Sequence, residues 1–327
     1  MDLAVALDNF NHPAILFFFL GLFAVAVKSD LEIPPQIGKF LGIYLLFHIG
    51  IKGGWELWAQ GLTGQILVII LVCLLGSFLV PFPVYKLLRR VLTVPDAGAT
   101  AASFGSISAV TFVTALSFLD VQDVPFGGYM VAGMALMEAP AIVAGIMLIR
   151  LSEKASDGGS LERPPGLNEA VWEAVFNGSV LLLIGSMIIG YVSGLQGQAD
   201  LAVFVDDIFY GMLSIYMLHM GIEAGRRFGD LKRTGIFPII FALVFPITIA
   251  LCSITLCYFL GYAPGDALLQ TVLFASASYI AVPAAMNIAV PEANMSIVLA
   301  MALCVTFTFN VVFGIPLYFT LIEFAWG

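Results

Sequence analysis

Charge is what this 327-residue chain has least of: Asp, Glu, Lys and Arg make up 11% of it, against about 25% in an ordinary soluble domain. The 13 basic residues are outnumbered by 22 acidic ones, for a formal net charge of −9. That balance excludes a nucleic-acid partner, which requires a basic footprint to displace counterions. Cysteine is also scarce, and Cys73, Cys252, Cys257 and Cys304 each sit in an apolar run. This spacing fits neither a zinc cluster nor a disulfide framework, so all four are expected to pack as small buried hydrophobes. A phosphate-cradling Gly-Lys loop is missing, which excludes direct drive by ATP. Only three His are present, and no Ser-His-Asp or metal-ligand constellation is formed, so no catalytic residue is assigned and the chain is not expected to be an enzyme.

Apolar residues are abundant, at 61% of the chain, with a mean hydropathy of +1.03. A bilayer-crossing helix needs about 20 mainly apolar residues. Ten such runs occur, at about 13–28, 36–52, 62–84, 97–118, 126–149, 172–194, 206–224, 235–261, 266–288 and 294–322. The expected fold class is an all-α polytopic membrane protein, with a bend in the last span at Pro316. The amino-terminal Met1 to Asp8 carries two acids and no Lys or Arg, unlike a secretory signal, and is expected to be retained.

Basic residues test the count, because cytoplasmic loops are enriched in Lys and Arg. Lys28, Lys39, Lys86, Arg89, Arg90, Arg150, Lys154, Arg163, Arg226, Arg227, Lys232 and Arg233 all fall in odd-numbered connections, and Lys52 alone falls on the other side. A bacterial inner-membrane protein with both termini outside is expected. The longest connection, 151–170, contains Ser-Asp-Gly-Gly-Ser and Arg-Pro-Pro-Gly and reads as a cytoplasmic linker between halves 1–150 and 171–327.

The halves match at a nearly constant offset. Leu46 to Ile51 aligns with Met217 to Ile222, pairing His48 with His219, and Gly54 falls on Gly225. Asp96 meets Asp266, Phe104 meets Phe274, Ser106 meets Ser276, Ser108 meets Ser278, and Met134 meets Met301. Five spans per copy force the second copy to enter the membrane from the opposite side. This inverted 5+5 repeat is characteristic of secondary transporters, whose sites lie where broken helices of the two copies meet.

Spans four and nine are the least hydrophobic and occupy equivalent places. One contains Gly105, Ser106, Ile107 and Ser108, the other Ser276, Ala277, Ser278 and Tyr279, followed by Pro283. Gly105 permits a backbone break and Pro283 interrupts the helix ladder. Two half-helix N-termini aimed at one spot hold an anion through backbone N–H groups and hydroxyls, without a buried Arg. Close helix packing by small residues is the alternative. Glu138, in Met137-Glu138-Ala139-Pro140, lies mid-span, where an ionisable group marks a functional site. It either coordinates Na⁺, with Thr111 and Asn310 as further candidate ligands, or carries a proton. His48 and His219 read as packing residues, and Glu223 is expected to pair with Arg226 or Arg227.

At these segments the chain resembles the cyanobacterial sodium-dependent bicarbonate transporter family. The resemblance rests on Ile49-Gly50-Ile51-Lys52-Gly53-Gly54, Phe104-Gly105-Ser106-Ile107-Ser108 with Thr111, Met137-Glu138-Ala139-Pro140-Ala141, Met220-Gly221-Ile222-Glu223-Ala224, and Ala275-Ser276-Ala277-Ser278 with Pro283. It implies a ten-span homotrimer with core and gate domains, moving bicarbonate inward with sodium ion by an elevator-like displacement. It also implies an anion site between the breaks of spans four and nine and a PII-like regulator on the cytoplasmic face. The chain departs from the family pattern at Glu138, where Asp is usual, and at Tyr279, where an acid is usual. The expected function is therefore sodium-coupled bicarbonate uptake. The alternatives are sodium- or proton-coupled transport of another small anion or carboxylate, and a non-transporting membrane receptor signalling to a soluble partner.

Overall fold

The computed structural model describes residues 12–61, 64–157 and 178–327. The amino-terminal residues 1–8 and most of the expected linker 151–170 lie outside the described residues. The described residues are helical, with no strand among them. The helices are α1 (Pro13–Ala26), α2 (Pro35–Gln60), α3 (Gly64–Leu79), α4 (Pro81–Leu88), α5 (Val94–Gly105), α6 (Ala109–Val121), α7 (Tyr129–Leu136) and α8 (Glu138–Asp157). They are followed by α9 (Gly178–Ala202), α10 (Phe209–Thr234), α11 (Ile236–Phe259), α12 (Pro264–Ala275), α13 (Ala281–Ala289), α14 (Met295–Leu299) and α15 (Ile315–Trp326). Helix α8 continues through the first seven residues of the segment expected to be linker.

Among the described residues, six stretches are long and apolar enough to cross a membrane: Ile66–Leu88, Val94–Val121, Tyr129–Ser152, Val180–Asp207, Ile236–Phe259 and Met295–Trp326. The other expected spans are helical but fall short for identifiable reasons. Helix α1 has 14 residues, about 21 Å at 1.5 Å per residue. Helix α2 is diluted by Lys39, His48, Lys52 and Glu56, and α10 by Glu223 and the basic residues after it. The ninth span is divided into the short helices α12 and α13.

Proline sets many of the helix starts. Pro13, Pro35, Pro81 and Pro264 open α1, α2, α4 and α12, where the missing N–H has no intrahelical acceptor in any case. In α5 the first turn holds Pro95, and the Thr93 side chain caps the Asp96 N–H at 3.3 Å. Pro316 likewise stands at the start of α15, after two π-helical turns at Ala300–Phe307 and Asn310–Gly314. The irregularity of the last span thus lies just before the proline, where the missing N–H would have met the Val312 carbonyl.

Glycine permits two close helix crossings. An ideal Cβ on Gly21 of α1 would lie 2.4 Å from the Leu218 carbonyl oxygen of α10, and one on Gly221 would lie 2.1 Å from the Phe18 oxygen. Helices α2 and α9 cross in the same way: a Cβ on Gly54 would lie 2.2 Å from the Met187 oxygen, and one on Gly190 would lie 2.3 Å from the Ile51 oxygen. Backbones this close gain dispersion contact along both helices, the main attraction available between helices in lipid. Farther along α9, Gly194 takes φ 51° and kinks the helix beside the Trp58 ring. Only glycine holds that conformation without strain.

Against this frame, α5 and α6 are almost wholly buried, whereas α3, α9 and α11 turn much of their surface outward. Cys73, Cys257 and Cys304 are buried as expected, but Cys252 is exposed on the outer face of α11. In an apolar solvent an outward cysteine costs nothing, so the apolar run alone did not determine which way it faced. Replacing Gly221 with Val should lower stability by roughly 1–3 kcal/mol through overpacking. Gly211→Ala, whose added methyl meets nothing within 4 Å, should stay within about 0.5 kcal/mol. Thermal unfolding of the detergent-purified variants measures both.

Candidate anion site

Helix α5 ends at Gly105 and α6 begins at Ala109, leaving Ser106 to Ser108 as an extended break. Helix α12 ends at Ala275 and α13 begins at Ala281, leaving Ser276 to Ile280. The reason for Gly105 differs from the expected one. Its backbone is not left-handed, but a Cβ would come within 2.4 Å of the Pro81 ring, so the residue is small to let α5 lie on α4. Pro283 is also reassigned. It sits in the first turn of α13, after the break, and starts that helix instead of interrupting it.

The breaks are bonded to each other. The Ser278 N–H donates to the Ser103 carbonyl at 2.9 Å, and the Ser103 hydroxyl donates back to the Ser278 carbonyl at 2.6 Å. The Ser108 N–H donates to Ser276 Oγ at 3.0 Å. Ser108 and Ser278 then play equivalent parts. Ser108 Oγ accepts from the Thr111 N–H at 3.2 Å, and Ser278 Oγ accepts from the Val282 N–H at 3.2 Å. Each hydroxyl thereby caps the helix that follows its break and keeps its own proton available to donate. Among the expected residues, Ser103 was not singled out. Its signal was present as a hydroxyl in the small-residue stretch Ala102-Ser103-Phe104, but its partner is 175 residues away.

A cavity of about 1050 Å³ reaches this junction. Ile107 and Ser108 from the first break, with Ala109 and Val110 at the start of α6, line its floor with Ser278, Tyr279 and Ile280 from the second break and Ala281 at the start of α13. The start of α6 and the start of α13 therefore meet the same space, and the leading amides of each have no acceptor within their own helix. The Tyr279 hydroxyl is buried against Ser108 with no partner in hydrogen-bonding geometry. Gly105, Ser106, Ser276 and Ala277 lie behind the floor and do not line it. Ser106 Oγ is buried there without a hydrogen-bond partner.

Glu138 lines the cavity and is 8% exposed. It opens α8 after a one-residue interruption at Met137, whose carbonyl accepts from the Ser77 hydroxyl. Pro140, in the first turn of α8, cannot donate back to the preceding turn. Thr111 stands one bond behind the floor, its hydroxyl donating to Ser108 Oγ at 2.8 Å. Asn310 lies at the C-terminus of α12: its Nδ2 donates to the Ala275 carbonyl at 2.7 Å, and its Oδ1 accepts from Tyr318 at 2.8 Å. Glu138 and Thr111 thus stand near the floor, while the Asn310 amide is committed at both ends to holding α12 and α15.

The opposite end of the cavity is cationic. Lys39, Arg226 and Arg227 line it from exposed or half-exposed positions, with Glu223 between the arginines at 3.6 and 4.0 Å. Arg226 also meets Glu32 at 3.4 Å. The two matching histidines have different surroundings. His48 is buried, stacked on Phe209 with centroids 3.9 Å apart and Nδ1 2.7 Å from the Val205 carbonyl. His219 lies over Gly38 and lines the cavity. Gly38 and Phe209 are themselves 171 residues apart, as the histidines are, so a ring stands against His48 where only a glycine stands against His219.

Ser103→Ala removes the donor to a buried carbonyl and should cost about 1–3 kcal/mol, seen as a lower melting temperature in detergent. Thr248→Ala, which loses an exposed bond to its own helix, should change stability by no more than about 0.5 kcal/mol.

Among curated proteins, none matches the chain. A family model described as the Na⁺-dependent bicarbonate transporter superfamily matches residues 13–323, nearly the whole chain, including both breaks and the Glu138 segment. The chain therefore belongs to the Na⁺-dependent bicarbonate transporter superfamily.

Proposed function

We propose that the chain is a secondary active transporter that carries bicarbonate into the cell with Na⁺, binding the anion between the two helix breaks. The observation that carries this reading is the junction itself. Two helix N-termini and the hydroxyls of Ser108, Ser278 and Tyr279 border one floor, with a carboxylate, Glu138, in the same cavity. Donors without a buried cation suit a small monoanion. The backbone around Ile107 shapes the floor, with Gly105, Ser106, Ser276 and Ala277 behind it. Glu138, supported by Thr111, would hold the co-transported Na⁺, and Asn310 would steady the α12 terminus beside it.

An inverted repeat of five and five spans is supported by contacts that recur in both halves. Asp96 Oδ1 accepts from the Asn294 N–H at 2.7 Å, and Asp266 Oδ1 accepts from the Gly127 N–H at 2.7 Å. Asp96 and Asp266 are 170 residues apart, and Gly127 and Asn294 are 167 apart, the offset that also relates Met134 to Met301. Each aspartate, in the first turn of a half-helix, thus ties down the start of the other half's last span. The glycine crossings repeat in the same manner, because Gly21 relates to Gly190 and Gly50 to Gly221 at offsets of 169 and 171. With α1, α2, α9 and α10 as a frame, the broken helices and their neighbours would move as the second body of an elevator. The cavity opens beside Lys39, Arg226 and Arg227, on the side that the basic residues mark as cytoplasmic, so this arrangement corresponds to an inward-open state.

Uptake of ¹⁴C-bicarbonate into proteoliposomes should rise at least tenfold under an inward Na⁺ gradient. Glu138→Gln should abolish that stimulation while leaving the protein folded. Uptake indifferent to Na⁺ in the unsubstituted protein would remove the coupling claim.

A further inference from the structure

The cavity is far larger than bicarbonate needs. Four heavy atoms occupy on the order of 100 Å³, judged from about 30 Å³ per water molecule in the liquid, against about 1050 Å³ here. Between the polar floor and the cationic rim the walls are aliphatic: Ile43, Leu46, Val110, Val113, Leu299 and Leu303 all line the space. Ile43 is 45% exposed, so apolar surface is left uncovered inside the opening.

From this combination we infer that the cavity is also a binding site for medium-chain monocarboxylates, which block the transporter from the cytoplasmic side. The inference rests on the proposed anion floor. A carboxylate head offers the same planar pair of oxygens as bicarbonate to Ser108, Ser278 and Tyr279. Its alkyl tail then covers the aliphatic wall on the way to the rim. Lys39, Arg226 and Arg227 draw the anion inward. A tail that fills the opening also props apart the surfaces that must approach each other for the site to turn outward.

Burial of a methylene corresponds to about fourfold in affinity. Across butyrate, hexanoate and octanoate the dissociation constant should therefore fall about fourfold per added methylene. The slope should flatten once the tail reaches the charged rim. Equilibrium dialysis of the ¹⁴C-labelled acids against the purified protein in lipid nanodiscs, with empty nanodiscs as the partition control, measures this directly. Ile43→Gln, on the wall and away from the floor, should reduce the octanoate advantage at least threefold while Na⁺-driven bicarbonate uptake persists.

Binding that is independent of chain length, or no greater than in empty nanodiscs, overturns the inference. An octanoate affinity unchanged by Ile43→Gln overturns it as well. Dialysis needs no turnover, so a failure here with bicarbonate uptake intact is distinct from a failure of the transport reading, in which uptake itself is missing.

Discussion

The two hydrogen bonds exchanged between Ser103 and Ser278 are the constraint on which the rest depends. In hydrocarbon a broken helix leaves amides and carbonyls with no water to satisfy them, and such backbone survives only where protein or an aqueous cavity meets it. Here each break is the other's partner. Ser103 and Ser278 satisfy one another, Ser276 takes the Ser108 N–H, and Ser108 and Ser278 cap the helices that follow. After that accounting, the starts of α6 and α13 border the cavity with leading amides that have no acceptor in their own helix. On the proposed reading, the anion binds where these two helix starts meet.

The surrounding architecture protects this junction. Proline at helix starts lets the short helices begin abruptly, and the aspartates Asp96 and Asp266 fix the first turns of α5 and α12 to the starts of α14 and α7. Asn310 and Tyr318 hold the far end of α12 from behind. Glycine crossings join α1 to α10 and α2 to α9 closely enough to act as stiff supports. A different device joins α2 to the end of α6: Lys52 pairs with Asp120 at 2.9 Å.

Much of this was legible in the sequence because it depends on local chemistry. Runs of apolar residues located the helices, and the small hydroxyl stretches around Ser106, Ser108, Ser276 and Ser278 marked where α5 gives way to α6 and α12 to α13. What was not legible depends on neighbours distant in the chain. Gly105 looked like a hinge because glycine is permissive, but it answers to the Pro81 ring. Pro283 looked like a breaker, yet its place after the break makes it an initiator. The direction Cys252 faces could not be read from an apolar run, since in lipid both directions are apolar. The unlike environments of His48 and His219 arise from Phe209 and Gly38, neighbours that lie far from each histidine in the chain. Ser103 was hidden for the same reason: a serine in a helix acquires its role from a carbonyl 175 residues later.

The central claim is that the paired breaks hold the anion. A high-resolution reconstruction of the protein in lipid with saturating sodium bicarbonate tests it most directly. Planar density within hydrogen-bonding distance of Ser108, Ser278 and Tyr279, at the starts of α6 and α13, is the predicted result. Density confined to Lys39, Arg226 and Arg227, with nothing at the junction of the breaks, would contradict it.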